Sequence, residues 1–391
     1  MLIQLSGGGD ILIIHDAGAG DFISQTSTIR EIRRLYPDAH ITLIVYPSAI
    51  NLAETCPYID ELLVNSRHYI PTFFNDFKWN ISLARQLLER HFDICFAFAH
   101  YTGTPFLMYM SGARVRITHS FENDKSDWSF GPAEVPLRYS VNLATHLFPR
   151  FTYGKHMVDA NLSLVESLLH LSIKNRKPEI WYTPLDISVA KSFLKDIGRP
   201  LYSLSMGSSA QRRHYPPEKY ARLLEMIVAE EPKATFVISG RGQDDLKSAE
   251  IIKNIAPKIY EKKILDLTNK VDYRQTTALL KFCDLHIGND TGMTQVASVV
   301  NCPVLTPNCF PADLPLHSTD IPEIWYPYGV PSVIVQPEHA LPECKNSNDI
   351  FGCKANFPHC IAQIEPKTLF RGFKLLKKRI AKKINEPMYI H

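Results

Sequence analysis

Residues 11–21 read Ile11-Leu12-Ile13-Ile14-His15-Asp16-Ala17-Gly18-Ala19-Gly20-Asp21. Four consecutive apolar residues, three of them β-branched, match a strand buried on both faces. After His15 and Asp16 come the small residues Ala17–Gly20, and Ile23–Tyr36 then carries Ile29, Ile32 and Leu35 on one side of a helical period. Pro37-Asp38 turns the chain into a second strand, Ile41–Tyr46, and Ile59–Val64 reads as a third. A helix over Ile81–Arg90, apolar at Leu83, Leu87 and Leu88, leads into a strand at Ile94–Ala99. Strand, helix, strand at this spacing predicts βαβ units and a parallel sheet.

The same grammar returns near residue 200. Leu201–Ser205 is a strand, Gly207-Ser208-Ser209-Ala210 a small-residue loop, and Pro217–Glu230 a helix with Tyr220, Leu223, Leu224 and Ile227 apolar. Thr235–Ser239, Asp284–Ile287 and Pro303–Thr306 read as strands, Tyr273–Phe282 and Thr291–Val300 as helices. Ser172–Pro184, polar and twice interrupted by proline, reads as linker. The expected architecture is α/β, with two doubly wound Rossmann-like domains facing a cleft. Residues 1–172 form the first, 173–198 the linker region, 199–366 the second, and 367–391 a C-terminal helix. Ligands in such sheets bind beyond the carboxyl ends of the strands.

Composition sets bounds on function. With 45% hydrophobic and 21% charged residues in 391, the chain is neither disordered nor fibrous. No apolar run approaches the roughly 18 residues of a membrane-spanning helix. Met1–Gly9 lacks the basic start of a secretory signal, so the expected compartment is the cytoplasm. The net charge of +3 conceals a split, because residues 367–383 hold eight Lys/Arg and no acid. Elsewhere 35 basic residues face 40 acidic ones. Leu369, Phe373, Leu376, Ile380 and Ile384 mark one apolar face of this segment. It reads as a helix packing on the body, with a basic face suited to peripheral contact with the anionic inner face of the cytoplasmic membrane. The acidic body and the lack of a recognition module argue against nucleic acid.

Eight cysteines are not a disulfide framework, and Cys56, Cys95, Cys283, Cys302 and Cys309 read as reduced packing residues. Cys344, Cys353 and Cys360, with His339 and His359, are spaced more loosely than structural zinc ligands, and no metal site is assigned to them.

Two places carry chemistry. Gly18 and Gly20 let backbone approach a ligand closely, and Asp21 stands at the strand-to-helix junction. It reads either as a helix cap or as a catalytic base. The stretch Asp284–Ala297 ends a strand in Gly288-Asn289 and opens a helix with Asp290-Thr291-Gly292. Such a helix start can hold a pyrophosphate, or be no more than a capped turn.

These pieces resemble glycosyltransferase family 9, the bacterial heptosyltransferases of the lipopolysaccharide inner core, which have the GT-B fold. In the family's order the matches are Gly20-Asp21, Tyr36-Pro37-Asp38-Ala39, Ser111-Gly112-Ala113-Arg114, Arg213-His214-Tyr215-Pro216, Ser239-Gly240 and Ile287–Gly292. The resemblance implies an acceptor-side first domain and a donor-binding second one. It implies that Asp21 is the general base of an inverting, metal-independent transfer from a nucleotide sugar such as ADP-heptose to a glycolipid or other glycan hydroxyl. Asp290, Thr291 and Gly292 would bind the donor, with Gly18, Gly20 and Ser208 as loop and phosphate positions. Arg213 stands where the family usually has Lys, and Gln295 where it has His. A neutral amide cannot carry charge toward phosphate, and Arg is not Lys in geometry, so both changes point to an altered donor or weaker turnover. No cofactor is expected. The alternatives are a nucleotide-sugar epimerase on a similar fold and a non-catalytic sugar-nucleotide binding protein.

Overall fold

The computed structural model describes residues 5, 8–15, 17–65, 77–98, 103–120, 143–149, 155–170, 172–313, 321–342 and 359–391. The chain divides into two units, Met1–Trp181 and Tyr182–His391.

The first unit runs β1 (Asp10–Ile14), α1 (Ala19–Leu35), β2 (His40–Val45), α2 (Ile50–Ala53), β3 (Glu61–Val64), α3 (Phe77–Leu88), β4 (Ile94–Ala97), α4 (Gly103–Met110), β5 (Val115–Ser120), β6 (His146–Pro149) and α5 (Met157–Leu169). Its described strands are all parallel, in the order β3-β2-β1-β4-β5-β6. The chain builds outward from β1 to β3 and then returns to the other side of β1. The β1/β4 boundary is therefore the topological switch point, where α/β sheets take their ligands. Ile11 to Ile14 are almost fully buried, as the apolar run requires. α1 is unusual in burying polar residues, Ser24 through Thr28, where it packs on α5.

The second unit runs α6 (Pro184–Leu194), β7 (Leu201–Ser205), α7 (Pro217–Glu230), β8 (Thr235–Ile238), α8 (Gln243–Ile255), α9 (Pro257–Lys263), β9 (Ile264–Asp266), α10 (Tyr273–Leu280), β10 (Leu285–Gly288), α11 (Gly292–Val299), β11 (Val304–Pro307), α12 (Pro322–Trp325), β12 (Ser332–Val335), α13 (Pro366–Ala381) and β13 (Pro387–Ile390). The strand order β13-β12-β11-β10-β7-β8-β9, again all parallel, puts the switch point between β7 and β10.

The chain departs from the sequence reading at two places. Residues 184–194, read as linker, are helix α6. Thr183 caps it reciprocally with Asp186, Pro184 stands in its first turn, and it packs on α10 with Asp186 3.4 Å from Arg274. The segment 367–391, read as one helix, stops at Ala381. Lys383 takes a left-handed φ of 55°, the amides of Lys383 and Ile384 bond back to Ile380 and Arg379, and Pro387–Ile390 becomes the edge strand of the sheet. That is a Schellman-type stop.

α13 itself packs as core. Leu369, Phe373 and Leu376 are buried among Tyr202, Leu305 and Val335. A Cβ on Gly372 would come within 3.0 Å of Leu305 and 3.2 Å of Val335, so glycine sets how closely this helix lies on β11 and β12.

Candidate functional site

At the switch point of the first unit, β1 passes through His15 into Ala17-Gly18, and α1 begins. Gly18 is the N-cap in extended conformation. Asp21 occupies the third helical position, and its Oδ2 accepts the Gly18 N–H at 3.1 Å, half of a capping box. A Cβ on residue 18 would lie 3.3 Å from that oxygen, so glycine lets the carboxylate fold over the turn. Gly20 sits in the same first turn. The N-cap is thus Gly18 and not Asp21, which serves the helix start from its third position by accepting the N-cap amide. A carboxylate has about four lone-pair directions, so capping leaves it able to accept a proton. The turn is anchored from below: Ser24 Oγ donates to the Asp21 carbonyl at 2.7 Å, and Asn161 Nδ2 of α5 donates to Ser24 Oγ at 3.1 Å.

At the switch point of the second unit, the ends of β7 and β10 meet. Asn289, fully buried, ties them together: its Nδ2 donates to the Met206 carbonyl, and its Oδ1 accepts Tyr215 N–H at 3.2 Å and Tyr220 Oη–H at 2.9 Å. Thr294 Oγ1 donates to the Asn289 carbonyl at 2.7 Å, fixing the start of α11 to the strand end. Asp290 Oδ2 accepts from Asn308 Nδ2 at 2.9 Å, across to the end of β11. Thr291 is the N-cap and makes no side-chain cap bond; Gly292 is the first helical residue. The first-turn amides of a helix have no intrahelical partner, so this start offers N–H groups and the positive end of a dipole to an anion.

The loop after β7 is also stitched. Ser208 Oγ accepts Ala210 N–H at 3.2 Å, and its carbonyl accepts His214 Nε2–H at 2.7 Å. Arg213, half-buried, closes the single turn Gln211–Arg213 beside them. Gln295 is 8% exposed, and its Nε2 donates to the Trp325 carbonyl at 2.5 Å. Its amide therefore braces the end of α12.

Three buried polar groups support these loops without having been singled out in the sequence. His286, on β10, bonds Ser203 Oγ at 3.1 Å and Ser205 Oγ at 3.2 Å on β7, and burial lowers its pKa to about 3. Asp245 Oδ2 accepts Arg241 N–H at 2.9 Å, while a Cβ on Gly207 or Gly240 would fall within 2.5 Å of the carboxylate; burial raises its pKa. Asn308 holds Asp290. The signal available for each was a polar residue in or just after an apolar strand or at a helix start, which does not by itself say what it touches.

Among the described residues no three His, Cys, Asp or Glu side chains are grouped to hold a metal ion. Of the late cluster, Cys344 and Cys353 lie outside the described residues.

Residues 81–307, more than half of the chain, match glycosyltransferase family 9 (heptosyltransferase). Lipopolysaccharide heptosyltransferase 3 of Escherichia coli K12 is 24% identical over 297 residues, 73% of this chain and 78% of that protein. A putative glycosyltransferase of Haemophilus influenzae is 22% identical over 308 residues, 75% of this chain and 81% of its own length. Among solved structures, the family 9 glycosyltransferase of Veillonella parvula superposes with a TM-score of 0.70 at 17% identity, covering 96% of this chain and 99% of its own. The E. coli ADP-heptose lipopolysaccharide heptosyltransferase II gives 0.68 at 15% identity, covering 95% and 99%. The chain belongs to glycosyltransferase family 9, the heptosyltransferase family, with the GT-B fold of its solved neighbours, and is a glycosyltransferase.

Proposed function

We propose that the enzyme transfers a sugar from ADP-heptose, or a close nucleotide-sugar analogue, to a hydroxyl of a lipopolysaccharide-core acceptor, with inversion at the anomeric carbon. The observation that carries this reading is that each unit presents its family motif at the carboxyl end of its switch-point strands: Asp21 after β1, and Asp290-Thr291-Gly292 after β10. The names of the E. coli relatives supply the donor and acceptor classes.

In this reading the acceptor oxygen attacks the anomeric carbon while Asp21 takes its proton. The bond from that carbon to the diphosphate oxygen breaks, and the nucleoside diphosphate leaves with the electron pair. Charge building on the leaving group meets Arg213 and the α11 N-terminus, donors fixed before the reaction begins. Ser208 shapes the loop that carries Arg213, and Gly18 and Gly20 shape the turn that carries Asp21. Gln295 acts indirectly, by holding Trp325. The reading calls for no cofactor.

The same proposal places the enzyme against an anionic membrane face. Lys367, Arg371, Lys374, Lys378 and Lys382 are exposed on α13 or at its end, at spacings of 4, 3, 4 and 4, opposite its buried face. No described helix is long and apolar enough to cross a membrane.

The test is ADP release from ADP-heptose with a purified lipopolysaccharide-core acceptor. Asp21→Asn is expected to lower kcat by about 1,000-fold or more while donor-induced thermal stabilisation persists. Full activity in that variant overturns the base assignment. Donor-sugar turnover without acceptor identifies an epimerase instead.

A further inference from the structure

His15 is the last residue before the β1–α1 turn and 1% exposed. Its amide continues the sheet ladder to Ile44 O at 2.9 Å, so its backbone belongs to the sheet while its ring reaches into the turn. The ring packs edge-on to Phe22, with centroids 5.4 Å apart. Nε2 lies 3.2 Å from the Gly18 carbonyl, and Nδ1 lies 3.0 Å from Gln25 Oε1.

Both neighbours are oxygen acceptors, and a neutral imidazole has one N–H. Burial lowers the ring's pKa to about 4, so it stays neutral at ordinary pH. Gln25 is fully buried, and its Nε2 finds no acceptor among the described residues. Turning the Gln25 amide by half a rotation gives each ring nitrogen a complementary partner. Its N–H then donates to Nδ1, and the proton sits on Nε2, facing the Gly18 carbonyl.

We propose that His15 is the positioning residue of the turn that carries Asp21: braced by Gln25, its Nε2–H holds the Gly18 carbonyl and so the Gly18 residue, whose N–H, on the preceding peptide unit, holds the Asp21 carboxylate. The Gly18 carbonyl accepts His15 on one side and, on the other, the first intrahelical bond, from Phe22 N–H at 3.1 Å. The two bonds hold the carbonyl of the Gly18–Ala19 peptide unit, and the Gly18 N–H on the preceding unit meets Asp21 Oδ2 at 3.1 Å. The brace starts on β1 and ends on the carboxylate, with no exposed link between them. This inference rests on the reading of Asp21 as the base.

The test uses the full chain with ADP-heptose and a lipopolysaccharide-core acceptor. His15→Leu keeps bulk and removes the donor; His15→Gln puts an amide N–H near the Nε2 position. His15→Leu is expected to lower kcat by about 30- to 100-fold, the scale of an ångström-level misplacement, with the KM for ADP-heptose changed less than about threefold. His15→Gln should recover kcat to within about fivefold of the parent enzyme. Added to Asp21→Asn, His15→Leu should cost nothing further, because the group it positions is gone. Unchanged kcat in His15→Leu, a loss wholly in KM, no rescue by Gln, or full additivity with Asp21→Asn each overturns the proposal. A readout free of turnover separates this failure from that of the base assignment: 15N-histidine NMR of the unsubstituted protein, assigned with His15→Gln. A neutral Nε2–H ring from pH 6 to 8 is expected, and a charged or Nδ1–H ring overturns the brace. A fully active Asp21→Asn enzyme overturns the base assignment, and with it His15's catalytic part, while the ring signal still reports on the brace.

Discussion

Asn289 shows how much one side chain can hold at a strand end. Its amide satisfies a carbonyl from β7's loop, an amide at the start of the α7 segment and the buried Tyr220 hydroxyl. Replacement by Leu keeps the branching of the side chain and strands all three partners away from water. Each buried unsatisfied group costs about 1–3 kcal/mol, so Asn289→Leu should lose about 3 kcal/mol or more, read as a lower urea midpoint. Because the same side chain fixes the approach to Asp290, stabilisation by ADP should fall in parallel. Asn308→Ala removes the support of Asp290 and the Oδ1 that accepts Phe310 N–H at 2.8 Å, so it should weaken ADP with a stability loss of about 1–3 kcal/mol; an unchanged ADP affinity would separate Asp290 from the donor. At this scale the sequence was legible in position: Asp21 stands in the first turn after β1 and Asp290-Thr291-Gly292 opens the helix after β10. Gln295 shows the limit: its type and spacing pointed to the donor, while its amide is engaged by Trp325. No spacing rule reports a bond thirty residues away.

Elements were legible when they were long or continuous in pattern. β1 and β7 fall where the apolar runs place them, because full burial on both faces leaves no alternative, and α7 falls where its apolar period places one buried face. β13 was missed since four residues after a basic helix, beginning with proline, carry no period of their own; pairing with β12 makes them a strand. α6 was missed although Thr183-Pro184 and Asp186 spell a capped helix start, a signal outweighed by the polar composition around it. The apolar face of α13 packs on the body as its period required, and that packing decides which experiment is informative. Deleting 367–391 would remove Leu369, Phe373 and Leu376 from the core together with the charges. Charge reversal on the solvent side is the cleaner change. Lys367→Glu, Lys378→Glu and Lys382→Glu together should weaken binding to phosphatidylserine vesicles at low salt by more than about tenfold, each basic residue near such a surface contributing about 1 kcal/mol. The melting temperature should move little, since all three are exposed. Vesicle binding equal to that of the parent protein would remove the membrane from the proposal.

For the whole molecule, each unit carries a buried neutral histidine beside its switch point: His15 in the first, with a pKa near 4, and His286 in the second, near 3. Burial is the first cause in both, because the charged ring would lose its water. In the unfolded chain both titrate near 6.5. Above that value neither state is charged and the two histidines do not affect stability through protonation. As pH falls below 6.5 the unfolded chain takes up protons that the folded chain refuses, and stability is lost at about 1.4 kcal/mol per pH unit for each ring until its folded pKa is reached. Asp60, Glu61 and Asp266, whose folded pKa values are lowered, weaken the fold only below the ordinary carboxylate range, so their window lies lower. Asp245, raised by burial, acts in the opposite direction and is common to every variant compared. Urea midpoints should therefore decline from pH 6.5 toward 4.5, before the carboxylates contribute. His286→Asn, which cannot take up a proton, should flatten the decline of the second unit and leave that of the first. His15→Gln should do the reverse. Intrinsic fluorescence and amide hydrogen exchange resolved to peptides of each unit would follow the two separately. An equal slope in parent and variant would mean that the ring is charged inside the fold, and the tautomer on which the Gly18 brace depends would be lost with it.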